Sequence, residues 1–134
     1  MIRYATSNDL NWIVYLFNQN QLYMSYNDIN AAINVHQVLV DSDTNTALVW
    51  TNTEQYVQII CIASQLQGLG GALAVLSYLM ISTAKPVRFE VPIGSEWENY
   101  ILTDKYAKPR HTLIGTHDNY HIYECRDERF IKEV

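Results

Sequence analysis

Three glycines within four residues, Gly68, Gly70 and Gly71, stand between two segments of different character. A strand-like run over 56–62 precedes them, and the apolar residues that follow have the i, i+3, i+4 spacing of one helix face. Backbone N–H groups at a helix N-terminus bind anions, and glycine lets a phosphate approach the main chain closely. The segment 64–80 therefore predicts a phosphate-binding strand–loop–helix unit. Its helix stripe would comprise Leu69, Ala72, Leu73, Leu76, Leu79 and Met80.

The glycine spacing excludes two common phosphate sites. A P-loop ends in Gly-Lys-Ser/Thr, and no lysine is present here; a dinucleotide fingerprint from Gly68 needs a glycine where the chain has Leu73. What remains is Gln65-x-x-Gly68-x-Gly70, followed by Gly71. This pattern resembles the Q/R-x-x-G-x-G/A signature of the GNAT superfamily, the acyl-CoA-dependent N-acyltransferases, in which the loop binds the pyrophosphate of acetyl-CoA. A strand–turn–helix without a ligand is the alternative.

The order of the predicted elements is similar to the GNAT layout over essentially the whole chain. The opening I-R-x-A-T-x-x-D, a strand followed by a capped helix, also resembles the start of many GNAT proteins. Besides the 64–80 unit, we expect strands at 1–5, 36–41, 47–50, 56–63, 86–91, 112–116 and 120–125, and helices at 9–18, at 19–34 with a break near 25, and at 95–107. The resemblance implies a single α+β domain over 1–134, with a mixed, mostly antiparallel sheet splayed in the middle and helices on both faces.

The resemblance also assigns roles in cofactor binding. The backbone of Ile60 to Ile62 would accompany the pantetheine arm, and the amides of Leu66 to Gly71 would hold the pyrophosphate, with Gln65 capping the loop. The implied cofactor-binding residues are Ile60, Cys61, Ile62, Gln65, Leu66, Gln67, Gly68, Leu69, Gly70, Gly71 and Asn99. The variable loop positions, usually basic in the family, are Leu66 and Gln67. Losing one or two charge-assisted contacts of about 1.5–3 kcal/mol each predicts weaker cofactor binding, or help from Lys85, Lys105 or Lys108.

Acetyl transfer to an amine needs a base and an acid but no covalent nucleophile. The family often places an Asn and, seven residues later, a Tyr on its last helix, and Asn99 and Tyr106 have that spacing. Tyr106 is therefore the candidate general acid, although Arg110-His111 stands near where the family has Gly-Phe. Glu90 is the candidate base. Glu54 is a second acidic candidate, and a cross-strand or Arg88 partner is the structural alternative for Glu90.

Two further groups of side chains have competing interpretations. The helical pair borders the acceptor pocket in the family, so the apolar and aromatic residues of 22–26 either touch substrate or are ordinary core and rim residues. His117-x-x-x-His121, with Glu124 and Cys125 nearby, suggests zinc. On a strand, however, residues i and i+4 lie about 13 Å apart, so we expect no metal site.

Composition limits the class of protein. The 134 residues are 49% hydrophobic and 17% charged, which is typical of a globular domain, and no apolar run is long enough to cross a membrane. The net charge of −5 argues against a nucleic-acid partner.

No secretory signal is evident, and Cys61 and Cys125 are expected to be buried free thiols, so a cytoplasmic location is predicted. An apolar edge at Ile122 and Tyr123 would allow pairing into a homodimer.

Together these features predict a small N-acetyltransferase that moves an acetyl group from acetyl-CoA to an amine of a small molecule or a protein. The alternative is a non-catalytic GNAT-like protein that binds CoA weakly or not at all and acts through protein–protein contact. The non-basic glycine loop favours the alternative. Tyr106, at the position implied for the acid, favours catalysis.

Overall fold

A computed structural model describes residues 1–66, 68 and 70–126. The strands are β1 (Ile2–Tyr4), β2 (Val38–Asp41), β3 (Thr46–Asn52), β4 (Val57–Ser64), β5 (Val87–Pro92), β6 (His111–His117) and β7 (Tyr120–Cys125). The helices are α1 (Leu10–Gln19), α2 (Tyr26–Asn34), α3 (Gly70–Ser82) and α4 (Glu96–Thr103), with short 3-10 turns at Ser7–Asp9 and Lys108–Arg110. Within the described ranges, none of the helices is both long and apolar enough to cross a membrane.

The strands form a seven-stranded sheet in the order β1-β2-β3-β4-β5-β7-β6. The pairs β1–β2, β2–β3, β5–β7 and β6–β7 are antiparallel, whereas β4 and β5 pair in parallel through Val57 with Val87 and Gln58 with Arg88. The predicted fold class, α+β with a mixed and mostly antiparallel sheet, is confirmed. The chain divides into two compact units, one of Met1–Thr51 and Ile59–Leu79, the other of Asn52–Gln58 and the chain from Met80 onward.

In the first unit, α1 and α2 cover one face of β2, β3 and β4. Alternate strand residues point into this core, as expected for strands with one face on a helical layer. The core consists of Ala5, Leu10, Ile13, Leu16, Phe17, Ile29, Ala32, Ile33, Val38, Val40, Ala47, Val49, Cys61 and Ala63. The helix expected at 9–18 contributes Leu10, Ile13 and Phe17 to this core, and Val14 is half-buried against it.

Local hydrogen bonds fix where these two helices begin. Asp9 accepts the Thr6 N–H at 2.8 Å and forms a bidentate pair with the Arg3 guanidinium at 2.7 and 2.9 Å. At the second helix, the Ser25 hydroxyl accepts the Asp28 N–H at 3.0 Å. Of the predicted helical region 19–34, Gln19 ends α1, and the chain is helical again only from Tyr26, after a connection.

The other face of the same strands is covered by α3. Leu39 and Leu48 have the opposite parity to the α1–α2 core and are buried. Thr46 shares that parity, and the first turn of α3 packs against it at Gly71. The α3 stripe is confirmed at Ala72, Leu76, Leu79 and Met80, while Val75 is buried and Leu73 only half-buried. The prediction for Leu69 lies outside the described residues.

In the second unit, β5, β7 and β6 pair with one another in antiparallel. Phe89 pairs with Tyr123, and Glu90 with Ile122. Because β7 lies between β5 and β6, Ile122 and Tyr123 are not on an edge, and Tyr123 is buried. The prediction that these two residues offer an edge to a second copy is therefore wrong, since both sides of β7 are already paired.

Candidate functional site

The predicted strand–glycine–helix arrangement is present in the first unit. β4 ends at Ser64 and α3 begins at Gly70, with Gly68 between them at φ +101°, a conformation that residues with a side chain rarely adopt. The first N–H groups of a helix have no intrahelical partners and lie at the positive end of the helix dipole. This end of α3 therefore has the backbone chemistry that an anionic group requires.

The two glycines that open α3 have different surroundings. A Cβ atom built on Gly70 meets no described atom within 4 Å. A Cβ atom on Gly71 would instead overlap the Thr46 hydroxyl and lie 2.5 Å from the Thr44 hydroxyl. Gly70 thus leaves room for a ligand to approach the main chain, whereas Gly71 lets the helix pack closely on the turn between β2 and β3.

That turn also holds the start of the glycine loop. Asn45, at φ +49°, donates its side-chain amide to Gln65 Oε1 at 2.7 Å, and its carbonyl accepts the Gln65 N–H at 3.1 Å. The Leu66 N–H points at the Thr44 carbonyl at 3.5 Å. Gln65, the residue expected to cap the loop, is therefore held by Asn45. The Leu66 amide would have to leave Thr44 in order to bind a phosphate.

Gly68, Gly70 and Gly71 thus lie with Gln65 and Leu66 at one end of β4. Gln67 and Leu69, the other two loop residues expected to bind cofactor, lie outside the described residues.

The strand residues expected beside pantetheine alternate between the core and the surface. Ile60 is 47% exposed although its strand lies inside the sheet, while Cys61 packs in the α1–α2 core and Ile62 is half-buried. Burial raises the pKa of the Cys61 thiol, so the thiol stays protonated at neutral pH. Cys61 and Cys125 are both buried and neither forms a disulfide, as predicted. A buried, protonated thiol is a poor nucleophile, which fits the expectation of direct transfer.

A cavity of 730 Å³ opens in the first unit beside this strand. It lies among the α1–α2 connection, α2, β3 and β4. Its lining consists of Gln21, Leu22, Tyr23, Met24, Asp28, Ala31, Ala32, Val35, Gln37, Trp50, Thr51, Ile60 and Cys61. Of the 22–26 segment, Leu22, Tyr23 and Met24 border this cavity, and Leu22 and Met24 also pack against the α1–α2 core. Their contact with a substrate stays a prediction.

Tyr106 and Asn99 belong to the second unit, where one expectation is wrong. The helix that was predicted to reach 107 ends at Thr103, and Asn99 lies exposed on it. Asp104 adopts an extended backbone and accepts the N–H groups of Tyr106 and Ala107, each at 2.9 Å. This side-chain turn replaces the next helical turn, which local propensity alone does not reveal. Tyr106 therefore lies in a turn with 64% of its surface exposed.

The acidic candidates are both exposed. Glu90 lies on β5, and its carboxylate is 3.4 Å from His117 Nδ1. Arg88, considered as its partner, instead pairs with Glu124 at 2.9 Å and lies over the Tyr56 ring. Glu54 lies exposed in the turn between β3 and β4. Glu90 is thus accessible to solvent and remains a candidate base.

The cationic side chains proposed to assist phosphate binding are also in this unit. Lys85 donates its ammonium to the Thr53 carbonyl at 2.7 Å. Lys105 lies over the Tyr106 ring at 5.0 Å from its centre, and Lys108 is exposed. The assistance expected of them stays a prediction.

The structure also contains a buried polar cluster that sequence reasoning missed. Glu98 is buried and accepts hydrogen bonds from the Gly94 N–H at 2.9 Å, from the Tyr123 hydroxyl at 2.8 Å and from His121 Nδ1. The Gly94 and His121 contacts lower the pKa of Glu98 to about 2, and burial together with the Glu98 carboxylate raises the pKa of Tyr123 to about 12. In the sequence, no spacing links Glu98 to β7, so no local pattern reveals this cluster. Within the described ranges, no group of His, Cys, Asp and Glu side chains is arranged to hold a metal.

Comparison with known proteins shows the fold. No family model matches the chain, and no curated protein matches its sequence. Among solved structures, a GNAT-family acetyltransferase from Bacillus cereus ATCC 10987 is 15% identical with a TM-score of 0.74, covering 95% of this chain and 96% of its own. One from Listeria monocytogenes 4b F2365 is 13% identical with a TM-score of 0.64, covering 92% of each chain. The ribosomal-protein-S18-alanine N-acetyltransferase of Escherichia coli is 12% identical with a TM-score of 0.64, covering 95% of this chain and 94% of its own.

Proposed function

We propose that this chain, whose fold is that of the GNAT-family acetyltransferases, moves an acetyl group from acetyl-CoA to an amine by direct transfer. The observation that carries the proposal is the order β4, glycine loop, α3. There Gly68 takes up a left-handed conformation, and Gly70 leaves the helix N-terminus open. Fold similarity alone does not specify a reaction, so the argument rests on this end of the first unit.

Different residues would bind the cofactor and transfer the protons. The N–H groups at Gly70 and Gly71 would hold the pyrophosphate, aided by the helix dipole. Acetyl-CoA supplies the acetyl group as a thioester, whose C–S bond breaks as the C–N bond to the amine forms. Glu90 would take a proton from the amine, and the Tyr106 phenol would give one to the leaving thiolate.

A binding protein with little or no affinity for CoA is the second candidate. Leu66 and Gln67 bring no positive charge to the loop, and the Leu66 N–H already faces the Thr44 carbonyl. Backbone amides at α3 would then carry the pyrophosphate alone. Of the two candidates, only the enzyme requires a measurable affinity for acetyl-CoA.

Calorimetric titration with acetyl-CoA tests the proposal. We expect binding by the native chain and a loss of at least tenfold in Gly70→Glu, because the new carboxylate occupies the open space at the helix N-terminus and repels the pyrophosphate. Asn27→Glu is the matched control, since it places the same charge in the exposed first turn of α2. It should bind acetyl-CoA as the native chain does.

The outcomes separate the two candidates. Binding that is lost in Gly70→Glu and retained in Asn27→Glu supports the acetyltransferase. No heat with millimolar acetyl-CoA and the native chain would overturn it and favour the binding protein. Equal affinity in all three proteins would show that acetyl-CoA binds elsewhere than at α3.

A further inference from the structure

The cavity in the first unit exposes apolar surface that the fold itself leaves uncovered. Tyr23 is 84% exposed, Val35 60% and Ile60 47%, and all three line the cavity. Large exposed apolar side chains that gather around a concavity indicate a binding site more strongly than isolated ones do. The buried Trp50 adds aromatic surface to the wall. This concave apolar surface calls for a ligand with an apolar or aromatic body.

The charge on the lining is small and of one sign. Among the lining residues, only Asp28 carries a charge at neutral pH, and its side chain lies at the exposed start of α2. The remaining polar side chains with amide or alcohol groups are Gln21, Gln37 and Thr51. A single carboxylate beside an apolar wall complements one cation, and no basic residue among them would meet a phosphate or carboxylate.

We propose that the cavity binds the acetyl acceptor, and that the acceptor is a small primary amine with one ammonium group on an apolar or aromatic body. That the bound amine is acetylated rests on the proposed function, whereas its binding to the cavity does not. The ammonium is attracted by Asp28, and the body packs against Leu22, Met24 and Trp50. The cavity reaches Ile60 and Cys61, the strand assigned to pantetheine, so an amine bound here lies beside that strand.

Other classes of acceptor fit this lining less well. A polyamine or an aminosugar carries several cations, and only one carboxylate is present to meet them. A peptide N-terminus brings several main-chain amides that need hydrogen-bond partners, whereas the lining is mainly apolar. A volume of 730 Å³ lies within the range typical of small-molecule sites.

The test measures binding directly, with and without saturating CoA. Titrations would use 2-phenylethylamine, its uncharged analogue 2-phenylethanol, spermidine and a short peptide with a free N-terminal alanine. The native chain should prefer 2-phenylethylamine to the other three. In Asp28→Asn the affinity for 2-phenylethylamine should fall about fivefold, the upper end of an exposed ion pair, and that for 2-phenylethanol should not change.

Two variants serve as controls. Glu96→Gln removes the same charge from the first turn of α4, outside the cavity lining, and should leave every affinity unchanged. Ala31→Phe enlarges an exposed helix residue of the lining. It should weaken the binding of 2-phenylethylamine and of 2-phenylethanol equally, because the new side chain fills the cavity. Thermal unfolding of each variant checks that its fold is retained.

Failure of this inference is distinguishable from failure of the proposed function. Preference for spermidine or the peptide, with acetyl-CoA still bound, would overturn the acceptor class and leave the acetyltransferase in place. Binding of 2-phenylethylamine that depends on Asp28 without any acetyl-CoA binding would support the cavity and overturn the proposed reaction. No binding of any amine, with or without CoA, would overturn the inference about the cavity.

Discussion

A methyl group added at Gly71 should destabilise the protein, while the same group at Gly70 should not. At Gly71 it would meet the hydroxyl oxygens of Thr46 and Thr44. These hydroxyls cannot turn away cheaply, because they lie 2.7 Å from each other, and each also bonds a neighbour, Asp41 at 3.1 Å or Ser64 at 2.8 Å. At Gly70 the methyl group meets no described atom within 4 Å.

The magnitude follows from two opposing effects. Replacing glycine by alanine in a helix is worth about 0.5–1 kcal/mol in favour of alanine. Overpacking a buried contact costs about 1–3 kcal/mol, and only Gly71→Ala incurs it. The two variants should therefore differ by about 1–3 kcal/mol in the free energy of unfolding. With an unfolding entropy of about 2.1 cal/mol/K per residue, this corresponds to a difference of about 4–11 °C in Tm for 134 residues.

Calorimetric or circular-dichroism melting of the native chain, Gly70→Ala and Gly71→Ala measures this difference. Thr46→Ala, alone and combined with Gly71→Ala, completes a double-mutant cycle. If the Thr46 hydroxyl is the obstacle, its removal should cost less in the Gly71→Ala background, with a coupling of about 1 kcal/mol. A Gly71→Ala protein as stable as Gly70→Ala would refute the reasoning that Gly71 is required for close packing.

Two further predictions concern the second unit. Glu98→Gln should lower the free energy of unfolding by about 2 kcal/mol near neutral pH, because a buried carboxylate with three hydrogen bonds is lost. The pKa of Glu98 is about 2 in the folded protein against an ordinary 4.5, so its stabilising contribution is complete above pH 4.5 and is lost as the pH falls through 2. The Tm values of the native and Glu98→Gln proteins should therefore converge as the pH is lowered over that range. A constant difference in Tm would contradict the prediction. Tyr106→Phe should reduce kcat/KM for acetyl transfer by about 10²–10⁴ without changing Tm, since the side chain is exposed. Tyr120→Phe, the control at another exposed tyrosine, should change neither kcat/KM nor Tm. Full activity of Tyr106→Phe would remove it as the acid.

Elements with strong local signals were predictable from the sequence. The strand expected at 86–91 and the helix expected to begin at 95 correspond to β5 and α4. Both have local signals, alternating burial along β5 and the Ser95 cap of α4, and both are confirmed. The end of α4 was not predictable in the same way, because the Asp104 side chain competes with the helix for the N–H groups of Tyr106 and Ala107.

The sequence by itself determined the order of strands and helices, the buried faces and the glycine-rich start of α3, because each depends on residues close together in the chain. Tertiary structure decided which residues distant in the chain come into contact. It paired both edges of β7, joined Glu98 to His121 and Tyr123, and set Gly71 against Thr44 and Thr46. It also brought Asp28, Trp50 and Ile60 to one cavity. These residues lie far apart in sequence, and no local pattern carries the information that they meet.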